Sequence, residues 1–318
     1  MHKLAFIDSH HPNLQSLLEE AGFSCDLLHE LDIPSTLKLL PDYEGIVLRS
    51  RFPITKSVID TTPKLKCIAR AGSGMENIDT NYAESKGISC LNAPEGNRDA
   101  VAEHALGMLL MLFNNLKRAD QEVREGKWKR EENRGQELRG KCVGIIGFGF
   151  MGGALAHRLR GFGVKVLAYD KYKTGFGNSF IKECTLEQIL NETDVLTLHL
   201  PESPETKYWL NDKLLNSFRK PIYIVNTSRG TCLSTTDLIK HLKTGKVLGA
   251  CLDVLEYENS TFTKIAESPD SEDFHFLLKS ENVVFSPHIA GLTFESDRKI
   301  AEVLAKRIIA AFQTTNLP

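Results

Sequence analysis

Residues 143–170 read VGIIGFGFMGGALAHRLRGFGVKVLAYD, and this stretch decides the fold. Val143, Ile145 and Ile146 belong to a short uncharged run rich in β-branched side chains, the pattern of a strand buried on both faces. The run enters a glycine turn, G-x-G-x-x-G, at Gly147, Gly149 and Gly152. Ala154, Leu155, Ala156, Leu159 and Phe162 then recur at helical spacing, and residues 164–169 read as a second strand. Gly147 permits the tight turn, Gly149 lets the backbone approach a pyrophosphate, and Gly152 lets the helix pack closely on the strand. The N-terminus of that helix offers N–H groups and a partial positive charge to phosphates. Asp170 closes the unit about 20 residues past the turn, where a carboxylate accepts hydrogen bonds from the adenosine ribose and repels a 2′-phosphate. The stretch therefore predicts a βαβ unit that binds a dinucleotide, NAD before NADP. Lys171 and Lys173 leave NADP open as the alternative.

The chain has 318 residues, enough for two domains with separate cores. Apolar residues make up 42% and charged residues 25%, and the formal net charge is -2, so composition gives no argument for a nucleic-acid or membrane partner. Seven cysteines are scattered without a C-x-x-C pair, which suits reduced thiols and a cytoplasmic location. The N-terminal residues read as a strand rather than a signal peptide, and the most apolar segment, 106–113, is too short to span a bilayer. No zinc-type ligand spacing is present, and no metal is expected.

From residue 1 to 98 short β runs alternate with helical stretches, which predicts a parallel sheet covered by helices. Two loops that follow strands carry arginines, Leu48-Arg49-Ser50-Arg51 and Arg70-Ala71-Gly72-Ser73-Gly74. Such loops sit where open α/β sheets bind ligands, and a guanidinium suits carboxylate or phosphate. The alternative is pairing with acids such as Asp42, Glu44 or Glu76. A turn-rich crossing at 92–97 leads to a helix expected over 99–117, apolar on more than one face and so buried between domains or subunits. Residues 117–139 are strongly charged, either a solvated helix and loop or an arm with Trp128 that packs on a second subunit. Further strands are expected at 194–198, 222–226, 247–252 and 282–285, about six in a full dinucleotide-binding sheet. A polar surface insertion is expected at 268–273, and a last helix over 294–312 returns to the first domain.

Thr227-Ser228-Arg229-Gly230, Asp253 to Glu258 and Ser286-Pro287-His288 each follow a predicted strand, on the same sheet edge as the glycine turn. Hydride transfer from a hydroxyl-bearing carbon needs a base, a cation for the substrate anion and a group that tunes the base. Histidine titrates near neutrality, and a carboxylate on one ring nitrogen fixes its tautomer. His288 is assigned as base, Glu258 as its partner and Arg229 as the anion clamp.

The motifs VGIIGFGFMG, LHLPESPET, IVNTSRG, GACLDVLEYE and SPHIAG stand in this order, preceded by ARAGSGMENID, GISCLNAPEGN and VAEHALG. Together they resemble the D-isomer-specific 2-hydroxyacid dehydrogenases over nearly the whole chain. The resemblance implies two doubly wound α/β domains, a Rossmann NAD-binding domain (99–291) inserted into a flavodoxin-like substrate domain (1–98 plus 292–318). It makes Arg229, Glu258 and His288 the catalytic triad. Phe150 and Met151 then reach the pyrophosphate through their backbone, Asp170 the ribose and Asp253 the carboxamide, while Leu200, Thr227 and Gly291 line the cofactor. Ser73 and Gly74 hold the substrate carboxylate by backbone N–H groups, with Asn97 nearby. Within the family the pattern is most similar to the phosphoglycerate dehydrogenase branch, through Arg49-Ser50 and Arg70, which implies 3-phospho-D-glycerate as substrate and an entry to serine synthesis. The resemblance also implies a homodimer built on residues 100–140.

Asn259 stands where the family usually has proline, and the segment after it is longer than usual. Ala290 and Leu292 replace more typical small residues around His288. The chain stops at Pro318, so a regulatory domain is not expected. Two other readings keep the fold. One is a reductase of glyoxylate, hydroxypyruvate or another 2-keto acid, with Arg49 and Arg70 in structural ion pairs. The other is an NAD-sensing interaction protein like the C-terminal-binding-protein corepressors. Formate dehydrogenases, which carry glutamine in place of Glu258, fit less well.

Overall fold

The computed structural model describes residues 1–258 and 272–314. The expected insertion at 268–273 therefore lies, up to Ser271, outside the described residues, as do Asn259 and the lengthened segment after it. The chain divides into two compact units, Met1–Arg98 with the chain from Leu292, and Asp99–Glu258 with the described residues up to Gly291.

The first unit runs β1 (Lys3–Phe6), α1 (Pro12–Glu20), β2 (Ser24–Leu27), α2 (Ile33–Leu39), β3 (Gly45–Leu48), α3 (Lys56–Asp60), β4 (Cys67–Arg70), α4 (Thr80–Ser85) and β5 (Ser89–Leu91). α5 (Pro94–Phe113) then carries the chain into the second unit. All pairings of the first sheet are parallel, in the order β2-β1-β3-β4-β5. β3, Gly45-Ile46-Val47-Leu48, is buried along its whole length, as a strand covered on both faces must be. One face is covered by α1 and by α12 (Phe294–Thr314), whose Leu304, Ala305, Ile308 and Phe312 pack in one cluster with Leu4, Leu14, Leu18 and Phe23. Full burial of each large side chain there is worth roughly 1.5–3 kcal/mol. Phe23 and Phe312 meet edge to face, with centroids 5.2 Å apart.

The second unit continues with α6 (Leu116–Arg124), β6 (Cys142–Ile146), α7 (Phe150–Arg158), β7 (Lys165–Tyr169), β8 (Ile181–Glu183), α8 (Leu186–Glu192), β9 (Val195–Leu198), α9 (Asp212–Ser217), β10 (Ile222–Asn226), α10 (Thr235–Lys243), β11 (Val247–Leu252), α11 (Glu272–Lys279) and β12 (Val283–Phe285). Its parallel sheet has the order β12-β11-β10-β9-β6-β7-β8. The chain starts in the middle at β6 and winds both ways, so the switch point lies between β6 and β9. Among the described residues the sheet has seven strands, one more than the sequence predicts. The extra one, β8, is a three-residue edge strand on β7, too short to show alternation.

The crossing helix also departs from expectation. It begins five residues earlier, at Pro94, and ends at Phe113, because Asn115 adopts a left-handed conformation (φ 52°) and restarts the chain as α6. Ala102, Ala105, Met108, Leu109, Leu112 and Phe113 pack into the second unit's own core, so that core accounts for much of its apolar surface.

Candidate active site

The glycine turn lies at the C-terminal end of β6. Gly147 has φ 88°, a conformation that L side chains rarely adopt, and a Cβ there would stand 2.4 Å from the His199 carbonyl oxygen. A Cβ on Gly152 would stand 2.1 Å from the Gly147 carbonyl oxygen, so the helix packs against the turn itself. Gly149 is different: a Cβ there would meet nothing within 4 Å, leaving the backbone open to a ligand. α7 starts directly behind it at Phe150 and Met151, with Gly149 as an N-cap that makes no side-chain cap bond. The N–H groups of the first turn are thus available to a phosphate.

Asp170 follows β7. Its Oδ2 accepts from the Phe148 N–H at 2.7 Å, and its Oδ1 from those of Tyr172 (2.9 Å) and Lys173 (3.0 Å). Burial works against its charge, but these three N–H groups prevail and hold the carboxyl below its ordinary range. Leu200, after β9, is half-buried. Thr227, after β10, is buried, and its Oγ1 has no hydrogen-bond partner among the described residues. An orphaned hydroxyl and an uncovered glycine backbone on one edge of the sheet are what a bound dinucleotide would complete.

The three residues assigned to chemistry follow β10, β11 and β12, which are neighbours in the sheet. Arg229 ends a turn pinned from below by Asn226, which is fully buried. Asn226 Oδ1 accepts from the Ser228 N–H (3.1 Å) and hydroxyl (2.8 Å), and its Nδ2 donates to the Arg229 carbonyl at 2.9 Å. The Arg229 Nη1 donates to the Ser228 carbonyl at 2.7 Å. Glu258 uses both oxygens: Oε1 accepts the Leu255 N–H at 2.6 Å, and Oε2 lies 2.6 Å from His288 Nδ1. A carboxylate there keeps the proton on Nδ1 and leaves the Nε2 lone pair to take a proton from substrate.

His288 has φ 55°, a strained conformation for a non-glycine residue that persists only where its surroundings impose it. Asp253 does so. Its carbonyl accepts the His288 N–H at 2.7 Å, and its side chain, 1% exposed, accepts from the Ser286 hydroxyl (2.6 Å), the Ile289 N–H (2.9 Å) and the Ala290 N–H (3.0 Å). His104, on α5, completes the cluster, with Nε2 2.8 Å from the Ser286 hydroxyl. The turn occupied by these bonds ends at Gly291, so Asp253 acts on the histidine loop as well as in any role toward a carboxamide. Sequence reasoning missed Asn226 and His104, and grouped Ser286 with His288 without giving it a role; Asn226 was visible as a polar residue closing the apolar strand IYIVN.

In the first unit Arg49 and Ser50 follow β3, and Arg70 ends β4. Arg49 pairs with Asp297 of α12, rather than with any of the acids anticipated, and its N–H donates to Asp8 Oδ2 at 2.7 Å. Asp42 pairs with Lys64, and Glu44 with His2 and Lys66. The two arginine loops are tied together, since the Arg49 carbonyl accepts from Arg70 Nε (3.3 Å) and Asn77 Nδ2 (3.0 Å). The Ser73 hydroxyl donates to Asn97 Oδ1 at 2.6 Å, and its carbonyl accepts from Asn92 Nδ2 at 2.6 Å. Gly74 is buried in the same loop. Ser73, Gly74 and Asn97 therefore form one cluster, and Arg49 with Arg70 another.

A doubly wound parallel sheet that presents a glycine turn and an acid-paired histidine on the same edge defines a dinucleotide-dependent oxidoreductase. Residues 106–290 match the model of the NAD-binding domain of D-isomer-specific 2-hydroxyacid dehydrogenases. The chain is 35% identical over 280 residues to a hydroxypyruvate reductase of Thermotoga maritima, covering 87% of this chain and 88% of that one. It is 37% identical over 294 residues to a D-3-phosphoglycerate dehydrogenase of Archaeoglobus fulgidus, covering 92% of this chain but only 54% of that protein's length. The structure of D-lactate dehydrogenase from Aquifex aeolicus, complexed with NAD and lactic acid, superposes with a TM-score of 0.82 at 28% identity, over 99% of this chain and 96% of that one. The chain belongs to the D-isomer-specific 2-hydroxyacid dehydrogenase family and is an NAD-dependent oxidoreductase of the EC 1.1.1 type.

Proposed function

We propose that His288 takes the hydroxyl proton of a D-2-hydroxy acid on Nε2, that Glu258 holds its Nδ1 and offsets the charge that develops, and that Arg229 binds the substrate carboxylate. The observation that carries this reading is the 2.6 Å contact between Glu258 Oε2 and His288 Nδ1 at the ends of adjacent strands. NAD, when bound, accepts the hydride from the hydroxyl-bearing carbon. Gly147, Gly149, Gly152 and the backbone of Phe150 and Met151 would hold its pyrophosphate, Asp170 its adenosine ribose, and Leu200, Thr227, Asp253 and Gly291 the remainder. In this reading 99–291 is the cofactor domain, and 1–98 with 292–318 is the substrate domain.

The proposed substrate is 3-phospho-D-glycerate, oxidised to 3-phosphohydroxypyruvate for serine synthesis. It is supported by the relative named D-3-phosphoglycerate dehydrogenase and by Arg49, Ser50 and Arg70 on adjacent loops. Ser73, Gly74 and Asn97 would hold the carboxylate. A second reading, hydroxypyruvate reductase, is favoured by the near full-length match to the Thermotoga enzyme and by Asp297, which already balances Arg49. NADH formation with 3-phospho-D-glycerate and with D-glycerate separates them. Preference for the phosphorylated acid, lost in Arg49→Ala and Arg70→Ala, supports the first; equal or better use of D-glycerate replaces it with the second.

The chain is further proposed to act as a cytoplasmic homodimer. Its seven cysteines are all unpaired, which fits a reducing compartment. Among the described residues no helix is long and apolar enough to cross a membrane. Leu116, Val123 and Trp128 expose apolar surface within 100–140. A monomeric mass in light scattering at micromolar concentration would refute the dimer.

A further inference from the structure

Asp170 is not alone in the loop after β7. Lys171 and Tyr172 follow it, and both turn to Glu205, which comes from the loop between β9 and α9. One Glu205 oxygen takes the Lys171 ammonium and the other the Tyr172 hydroxyl, and the Lys171 Nζ lies 5.3 Å from the Tyr172 ring centroid. In the sheet β6 lies between β9 and β7, so this link passes over the end of β6, where the glycine turn begins. It bridges the two loops that flank the dinucleotide crevice at the switch point. The same segment wraps Asp170, because the Tyr172 and Lys173 N–H groups both donate to its Oδ1.

A 2′-phosphate on the adenosine would bring about two negative charges beside Asp170 and would need a cation. Lys171 is the adjacent one in sequence, and Glu205 occupies it. An isolated exposed ion pair holds a lysine only weakly, but here the second carboxylate oxygen is fixed by the phenol, and the phenol's own backbone is fixed on Asp170. We propose that Glu205 is a second determinant of NAD over NADP, which withholds Lys171 from a 2′-phosphate and adds a carboxylate to the one at Asp170. This rests on the reading that Asp170 faces the adenosine ribose.

The test is fluorescence titration of the full chain with NADH and NADPH, which needs no substrate, in the wild type and in D170S, E205Q and E205Q/K171M. E205Q is expected to lower the ratio of the NADPH to the NADH dissociation constant by roughly three- to tenfold, the effect of one unit charge acting through water on a dianion. The gain should shrink at high salt. In E205Q/K171M the ratio should return to within about twofold of the wild type, since the lysine that was released is gone. If D170S lowers the ratio while E205Q leaves it unchanged, the Glu205 proposal is overturned and the Asp170 reading stands. If D170S leaves the ratio unchanged, the Asp170 reading falls and the proposal with it. A gain that survives in E205Q/K171M overturns the route through Lys171. Glu205 and Lys171 are exposed, so an unchanged melting temperature in E205Q and in E205Q/K171M confirms that only recognition has been altered.

Discussion

Gly230 packs directly on the peptide of Leu255: a Cβ built on the glycine would stand 2.0 Å from the Leu255 carbonyl carbon. The contact matters because the Leu255 N–H positions Glu258 Oε1 at 2.6 Å, and Glu258 positions His288. The loops after β10 and β11 therefore interlock through backbone. Gly230→Ala must push the 255–258 segment away, and a displacement of about 1 Å at a reacting group costs on the order of 100-fold in rate. The expected result is a kcat lowered by about that factor with the NADH dissociation constant within about twofold of wild type. Stopped-flow turnover and fluorescence titration on one preparation check it, and unaltered kcat would show that the loop relaxes without moving Glu258 and His288.

Glu258→Gln tests the carboxylate more directly. Glutamine fits the same space, but its amide nitrogen donates, and a donor facing Nδ1 places the imidazole proton on Nε2, the nitrogen proposed to act as base. The rate should fall roughly 10³- to 10⁴-fold, as when the wrong tautomer is imposed on a catalytic histidine. NADH binding should persist. A loss below tenfold would remove Glu258 from its assigned role.

Asp253→Asn should damage the fold of the histidine loop more than Asp253's small size suggests. The carboxylate accepts three hydrogen bonds from residues 286–290 in a buried place, and an amide would turn a donor toward at least one donor. Leaving one such group unpaired costs about 1–3 kcal/mol. A lower melting temperature, with kcat reduced because His288 loses its imposed φ of 55°, is the expected pair of observations. If the melting temperature holds and only NADH affinity drops, Asp253 serves the cofactor rather than the turn.

His199 gives the molecule an acid limit. Burial lowers its pKa from 6.5 to about 4; Nε2 lies 3.1 Å from the Thr197 hydroxyl, and Nδ1 has no hydrogen-bond partner among the described residues. The folded state thus holds the ring neutral while the unfolded chain protonates it near pH 6.5. Its contribution is complete above the unfolded value and is lost as pH falls toward the folded one, at most about 3 kcal/mol and less where the residue's edge meets water. Melting temperature should decline between these two values in the wild type and more shallowly in His199→Gln. Parallel curves would assign the acid sensitivity to other groups.

The second unit was legible from sequence because its signals are local. A strand, a glycine turn, an apolar helix and a terminal acid fit within 28 residues, 143–170, and each constrains the next. The ends of β10, β11 and β12 could be found because buried parallel strands read as apolar runs and polar residues stand out where they stop. What escaped was set by partners far away in sequence. Arg49 meets Asp297 across 248 positions, and Glu205 meets Lys171 across 34, so no spacing rule could pair them. β8 and the break at Asn115 escaped for the opposite reason, each being a few residues long and decided by local dihedrals and one neighbouring strand.

The way α12 completes the first core has a consequence for how the molecule is made. Its Leu304, Ile308 and Phe312 cover Leu4, Leu14 and Leu18, far away in sequence, whereas the second unit draws its sheet from strands that all lie between Cys142 and Phe285. On a ribosome the second unit can close as soon as β12 emerges, but the first must wait with one face of its sheet bare until α12 has followed it. Synthesis thus gives the two units different exposures to misassociation: the first unit is begun before the second and completed after it.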